Sequence, residues 1–219
     1  MTPRKVLVCV VSVCLALASS AFAAGTVTYL EHGLGNSPGG EFIFQTSGIP
    51  GYDGSQLKTF CLEWNEYIWK GGTYNVDIGK VAKQGGVGGF DASLGGDPLD
   101  PKTAYLYYHY SQHDLVGWTN DQDSANALQY AIWYLEDETT LPLNAGAMAK
   151  ANTFLADAST SGWKDTGPVW VLNLYYSWPG CGNIPCQDQL ILLPPVPVPA
   201  SILIGLIGLF GLGTVRRHT

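Results

Sequence analysis

The sequence predicts an α+β fold, in which a single, mainly β domain with sandwich- or barrel-like sheets carries an inserted helical part at about residues 100–158. Three observations lead to this prediction. Residues 26–78 are rich in β-forming side chains between glycine-rich turns, the middle of the chain follows a helical period, and β-forming stretches return at residue 169. The 219 residues, 46% of them hydrophobic, can bury a core, which excludes wholesale disorder.

Six stretches are predicted to be strands because β-forming residues alternate or cluster in them and turn residues bound them. They are Thr26–Leu30, Glu41–Gln45, Thr59–Glu63, Thr73–Ile78, Val169–Tyr176 and Gln189–Leu193. The segment Gly33–Gly40 and the six glycines of Gly85–Gly96 predict turns and loops between them.

Three helices are predicted, over Pro101–Gln112, Ser124–Glu136 and Ala145–Asp157. Asp100 followed by Pro101 is typical of an N-cap and a first helical position. Asp121 or Asp123 caps the second helix, in which apolar residues recur at three- and four-residue steps. The acidic run Glu136–Glu138 is interpreted as a solvated face.

The charges are unevenly distributed along the chain. All three Arg residues and Lys5 lie at the ends, so that seven Lys stand against 18 acidic residues in between, a net charge of −11. Phosphate contacts draw on basic patches, and an acidic body without Arg offers none. We therefore expect no nucleic-acid partner.

Residues 1–24 have the pattern of a signal peptide. A basic start precedes the apolar stretch Val6–Ala18, and Ala21-Phe22-Ala23 fits the small-residue cleavage pattern. An uncleaved membrane anchor is the alternative. Export across the inner membrane would place the ectodomain, residues 25–193, in an oxidising compartment.

The tail, residues 194–219, has three parts in order: Val196-Pro197-Val198-Pro199-Ala200, the apolar stretch Ser201–Val215 and the basic pair Arg216-Arg217. The apolar stretch has 15 residues, against the ~20 that a helix needs to cross a bilayer, and the proline-containing lead brings it close to that length. The terminal Arg pair favours a cytoplasmic end. A buried core helix is the alternative.

This tail resembles the PEP-CTERM sorting signal of Gram-negative bacteria, which has a Pro-x-Pro motif, a hydrophobic helix and a basic end. Val198 stands where that signal usually has Glu. The resemblance implies recognition by an exosortase-type membrane protease and transient membrane anchoring through the C-terminal helix. It further implies delivery to the cell surface or the extracellular matrix, where such proteins often accompany exopolysaccharide production and biofilm.

The five cysteines divide into three groups. Cys9 and Cys14 leave with the signal peptide. Cys181 and Cys186, with four residues between them in a turn-like segment, predict a local disulfide in an exported protein. Metal binding is the alternative, although no second Cys or His pair of suitable spacing accompanies them. Cys61 is left over, and an intermolecular disulfide is one use for it.

Two short motifs suggest another use for Cys61. The segments Thr59-Phe60-Cys61-Leu62-Glu63 and Leu128-Gln129-Tyr130-Ala131-Ile132-Trp133 resemble the paired motifs of Cys–Gln thioester domains, known from bacterial surface adhesins. In that family an aromatic-Cys-apolar strand meets an apolar-Gln-x-Ala-Ile-Trp helix. The resemblance implies that Cys61 is the thiol and Gln129 the acyl donor of an internal thioester.

A thioester explains these residue types chemically. Attack of a thiolate on the Gln carboxamide expels ammonia and stores an electrophile, which a surface amine or a polysaccharide hydroxyl can then displace. We expect Phe60, Trp64 and Trp133 to surround the bond and exclude water. Each molecule reacts once, which is covalent capture and not catalysis, so we predict no enzyme activity and no cofactor.

Two other functions are considered. A Cys-dependent hydrolase would use Cys61 with His109 or His113, although no local signature supports it. A passive structural or glycan-binding matrix protein would keep Cys61 as a buried apolar residue and use some of its seven Trp and twelve Tyr as stacking surfaces. The exposure of four tryptophans discriminates this last function: Trp64, Trp69, Trp118 and Trp163.

The acidic segment Asn120–Asp123 resembles the start of a calcium loop of the EF-hand type. That pattern requires Glu at the twelfth position counted from Asp121, where this chain has Ile132. The sequence therefore predicts no metal site.

Overall fold

The computed structural model describes residues 25–36, 39–83, 86–138, 140–178 and 182–193. The predicted signal peptide and the predicted sorting tail, with its proline motif and Arg pair, lie outside these ranges. Among the described residues, no helix combines the length and the apolar character needed to span a membrane. The described chain is mainly a β-sheet domain with three helices, which confirms the α+β class.

Eight strands occur in the described part of the chain: β1 (Thr26–His32), β2 (Phe42–Ser47), β3 (Gln56–Thr59), β4 (Thr73–Gly79), β5 (Val81–Ala82), β6 (Asp97–Pro98), β7 (Val169–Trp178) and β8 (Gly182–Leu192). Six of them form one sheet in the order β3-β2-β1-β4-β7-β8, with antiparallel pairing throughout. The short strands β5 and β6 pair separately.

The segment that follows β3 connects the two edges of this sheet. Thr59 still pairs with β2, but the next residues pair with β8 on the opposite edge. The hydrogen bonds run from Leu190 N to the Phe60 carbonyl (3.1 Å) and from Leu62 N to the Asp188 carbonyl (3.0 Å). The predicted strand Thr59–Glu63 is therefore divided, because its residues change partners at Phe60. The two edge strands are joined through this crossing segment, which contains Cys61.

The three helices are α1 (Pro101–Gln112), α2 (Gln122–Leu135) and α3 (Ala145–Thr160). Each begins at an N-cap whose side chain accepts a main-chain N–H of the first turn: Asp100, Asp121 and Asn144 respectively. Such a cap stabilises a helix by ~1 kcal/mol. The helices begin within two residues of their predicted positions, because these caps are local signals.

Two buried clusters form the core, and α2 contributes to both. Leu128 and Ile132 belong to the cluster between the helices and the sheet. Trp133, one residue further, packs in the second cluster with Cys61 and side chains of β1, β2 and β4. The last turns of α2 therefore lie against the crossing segment that carries Cys61.

The interpretation of Glu136–Glu138 as a solvated face is wrong for two of its three residues. Glu136 and Glu138 are only 5% and 8% exposed. The Glu138 carboxylate accepts main-chain N–H bonds from Trp64, Val87 and Gly88, and Glu136 accepts one from Asp100 at 3.2 Å. These carboxylates attach distant loops to the end of α2, which satisfies the loops' buried N–H groups.

Candidate functional site

Cys61 and Gln129 lie in direct contact. The Cys61 Sγ is 3.4 Å from the Gln129 Oε1, and the Gln129 Nε2 donates a 2.8 Å hydrogen bond to the Cys61 main-chain carbonyl. Both side chains are fully enclosed, with exposures of 0% and 1%. The structure thus brings together the two residues that the paired motifs single out.

Local structure explains why Cys61 and Gln129 are in contact. Cys61 lies in an extended segment, where successive side chains point to opposite faces, and its neighbours Phe60 and Leu62 pack in the helix-side cluster. Cys61 itself points into the other cluster. On α2, Gln129 and Trp133 are four residues apart and therefore share a face of the helix. That face meets the sulfur of Cys61.

Burial determines the state of the Cys61 thiol. Removal from water raises its pKa well above the ordinary value, and the negative charge of Glu63 raises it further. The Trp133 indole N–H opposes this shift by favouring the thiolate, although it completes no regular hydrogen bond with the described residues. Trp133 therefore presents a buried indole N–H to the sulfur of Cys61 and has no other hydrogen-bond partner among the described residues.

The three predicted surrounding aromatics differ in their positions. Trp133 is 2% exposed and makes an edge-to-face contact with Trp64, with ring centroids 5.1 Å apart. Phe60 is fully buried but packs on the other side of the crossing segment, against Tyr110 at 5.0 Å. The two tryptophans thus enclose the sulfur side of the site, while Phe60 supports the backbone from behind.

A half-open pocket of about 240 Å³ reaches Gln129 from the surface. Its walls are formed by Asn36, Gly39, Gly40, Asn126, Gln129, Tyr130, Trp133 and Leu141–Leu143. Polar groups of Asn36 and Asn126 lie at the pocket and bond to one another, with Asn36 N donating to the Asn126 Oδ1 at 2.8 Å. A small nucleophile entering here approaches the Gln129 side, not the Cys61 side, of the pair.

Gly39 is a further residue of the site, and the sequence predicts it only as part of a turn. A Cβ at this position would come within 2.8 Å of the Gln129 Cγ and 3.0 Å of the Trp133 ring. The absence of a side chain therefore allows Gln129 to lie under the 39–40 loop. The glycine-rich composition of residues 33–40 was the available signal, but it does not distinguish a turn from a close approach.

The histidines of the hydrolase alternative have other positions and partners. His109 Nδ1 lies 2.8 Å from the Asp114 carboxylate, and the His109 ring packs on Tyr105. His113 is exposed at the C-cap of α1. Among the described residues, the fully buried thiol of Cys61 is within hydrogen-bonding distance of Gln129 and of neither histidine.

The remaining predicted sites are partly described. Cys186 is buried, and Cys181 lies outside the described residues, so that their disulfide stays a prediction. Of the four tryptophans that bear on glycan binding, Trp69 is 48% exposed, whereas Trp64, Trp118 and Trp163 are half-buried.

Comparison with known proteins yields no relative that bears on this site. Neither a protein-family model, nor a curated protein, nor a solved structure matches the chain.

Proposed function

We propose that this is an exported, surface-sorted protein that forms a Cys61–Gln129 thioester and uses it to attach covalently to an amine or hydroxyl of a cell surface or matrix polysaccharide. The observation that carries the proposal is the 3.4 Å contact between the Cys61 Sγ and the Gln129 amide oxygen, two buried atoms from residues 68 positions apart. Export, exosortase-type sorting and surface or matrix localisation are supported by the sequence patterns of the signal segment and the tail.

Thioester formation requires the sulfur to attack the Gln129 carboxamide carbon. The S–C bond forms, the C–N bond breaks, and the thiol proton leaves with the amide nitrogen as ammonia. Amides resist thiols, so the step depends on the high effective concentration that two rigid elements provide. The hydrogen bond from Nε2 to the Cys61 carbonyl holds the departing nitrogen, and the Trp133 N–H favours the nucleophilic thiolate of Cys61.

In the capture step Cys61 becomes the leaving group, while Gln129 still supplies the acyl carbon. A primary amine attacks the Gln129 acyl carbon, the C–S bond breaks, and Cys61 is released as a thiol while the partner becomes an amide of Gln129. The pocket of about 240 Å³ beside Gln129 limits the nucleophile to a slender group, such as a primary amine on a chain or an accessible sugar hydroxyl. Because the acyl group is consumed, the protein acts once and is not an enzyme.

Intact-mass measurement of the purified ectodomain tests this function. We expect a mass lower by one ammonia than the sequence requires, after allowance for any disulfide, and addition of one methylamine after incubation with that amine. Cys61→Ala and Gln129→Ala should abolish both effects, whereas Gln112→Ala, an exposed glutamine on α1, should keep them. A full-mass ectodomain that does not take up methylamine would refute the thioester.

Passive glycan binding is a second candidate, favoured by one observation. Trp69 and Tyr67 are 48% and 71% exposed and line a shallow pocket of about 510 Å³. Exposed aromatic faces of this kind suit stacking on sugar rings. Loss of polysaccharide binding in Trp69→Ala, with the Cys61–Gln129 mass signature intact, would establish this second candidate beside the thioester.

A further inference from the structure

We propose that Glu63, Glu66 and Asp188 form a binding site for a divalent cation, best suited to Ca²⁺. One carboxylate oxygen from each residue lies within 4.8 Å of the other two. These residues are distinct from the Asn120–Asp123 segment, and the proposal does not depend on the thioester.

The cluster is buried, and the single charge of the nearby Lys83 ammonium does not balance three carboxylates. Glu63 and Asp188 are 2% and 3% exposed, and Glu66 is half-buried. The Glu63 Oε1 and the Glu66 Oε2 are buried and have no hydrogen-bond partner among the described residues. Burying ionised carboxylates without compensation is costly, so this arrangement requires either protons or a cation.

The hydrogen bonds to the Glu63 and Asp188 carboxyl groups come from main-chain N–H groups. Asp188 accepts N–H bonds from Leu174 at 2.9 Å and from Lys83 at 3.2 Å, and the Glu63 Oε2 accepts one from Asp188 N at 2.9 Å. The nearby ammonium of Lys83 is itself paired with Asp77. Main-chain groups thus hold two of the carboxylates in place, while the unpartnered oxygens of Glu63 and Glu66 remain available to a ligand.

Protons are the competing occupant. Burial and the neighbouring carboxylates raise the pKa of Glu63 and of Asp188 well above their ordinary values, and raise the pKa of Glu66 to about 7. A cation that replaces these protons removes the same repulsion between the carboxylates.

The donor set identifies the cation class. Three carboxylates are hard oxygen ligands, which suit Ca²⁺ and Mg²⁺. Ca²⁺ accepts irregular sets of six to eight oxygens, including waters, whereas Mg²⁺ demands near-octahedral geometry. Glu66 also lines the shallow pocket that contains Tyr67 and Trp69, which gives water and the ion a route from solvent.

Occupation would join the segment that carries Cys61 to the neighbouring strand β8. Glu63 follows Cys61 by two residues, and Asp188 lies on β8 at the edge that receives the crossing segment. A cation would strengthen this junction by linking the crossing segment to β8.

Terbium luminescence tests the proposal on the whole ectodomain. Tb³⁺ substitutes for Ca²⁺, and Trp64, next to Glu63, should sensitise its emission. We expect emission at pH 7.5 that Ca²⁺ displaces with a Kd of about 10⁻⁴–10⁻³ M, as in extracellular calcium modules. Calcium should also raise the midpoint of thermal unfolding relative to EDTA.

Matched variants separate the outcomes. Glu63→Gln and Glu66→Gln should each weaken Ca²⁺ displacement by at least about tenfold, and the exposed control Glu31→Gln should leave it unchanged. Cys61→Ala should still bind, so that failure of the thioester and failure of this site are distinguishable. Absence of calcium-displaceable emission, or equal emission from wild type and both Gln variants, would overturn the proposal. Stabilisation by the Gln substitutions without any effect of calcium would likewise overturn it, in favour of shared protons.

Discussion

Gln129 contacts Cys61 twice, through an amide nitrogen 2.8 Å from the main-chain carbonyl and an amide oxygen 3.4 Å from the sulfur. The first contact anchors the nitrogen that would depart as ammonia. The second places the carboxamide carbonyl beside the nucleophile. A core glutamine needs only its polar atoms satisfied, but this one is satisfied by the very residue whose thiol could react with it.

Replacement of Trp133 by Phe tests the role of the indole N–H. This buried donor has no regular hydrogen bond among the described residues, but Phe is smaller than the fully buried indole, so the cavity should lower the free energy of unfolding by about 1–3 kcal/mol. Thioester formation after refolding should nevertheless slow by at least about tenfold, because the N–H that favours the Cys61 thiolate is lost. The rate is followed by intact mass over time.

Trp64→Phe is the matched control for that variant. Trp64 packs edge-to-face on Trp133 but is half-buried. The Trp64→Phe variant should alter this packing without the same loss in the rate of thioester formation. Equal rates in wild type and Trp133→Phe would assign Trp133 a packing role alone.

Gly39→Ala should disturb Gln129 directly. The new methyl group would lie 2.8 Å from the Gln129 Cγ, so either the loop or the side chain has to move. We expect a destabilisation of about 1–3 kcal/mol, typical of overpacking, and a smaller fraction of molecules with the thioester mass. Gly79→Ala is the control, because its nearest neighbouring atom is 3.7 Å away. A full thioester yield in Gly39→Ala would show that Gln129 does not need its observed position.

The elements that the sequence predicts well are those set by neighbours in the chain. The helix caps Asp100 and Asp121 act within three residues, and the α1 bounds match the prediction. The strand around Cys61 was predicted as one piece, because no local pattern indicates that its hydrogen-bond partners change from β2 to β8 after Thr59. Partner choice in a sheet depends on distant residues.

The residues of the candidate site likewise differ in how well the sequence predicts them. Cys61, Gln129 and Trp133 were recognisable from two short motifs. The burial of acidic residues could not be predicted in this way. Glu138, for example, is stabilised by N–H groups of Trp64 and of the 87–88 loop, which lie about 50 to 74 residues away in sequence. A run of charged residues is therefore predicted to be exposed to solvent, because the sequence does not show such distant partners.

The raised pKa of Cys61 predicts the pH dependence of thioester formation. The thiol is protonated at neutral pH in the unreacted protein, and the thiolate is the nucleophile. The rate of ammonia loss during refolding should therefore increase by about tenfold per pH unit through the neutral and mildly alkaline range. A rate independent of pH would show that deprotonation of Cys61 does not limit the step. The Trp133→Phe protein provides a comparison, since loss of its N–H should displace this profile to higher pH.

Glu136 predicts that the folded state loses stability as the pH rises. Burial raises the pKa of this carboxyl from 4.5 to about 8, so in the native protein it holds a proton that the unfolded chain has already released. Its contribution is fully present below pH 4.5 and is lost as the pH rises to about 8, with a slope of ~1.4 kcal/mol per pH unit for one group.

Denaturant unfolding between pH 5 and 8, in EDTA to exclude cation binding, should show this decline. Glu136→Gln should flatten it, because the amide stays neutral and can still accept the N–H of Asp100, whereas the exposed control Glu31→Gln should not. Some slope should persist in Glu136→Gln, because the pKa of Glu66 is raised to about 7. Identical slopes in wild type and Glu136→Gln would mean that Glu136 is already ionised in the folded protein.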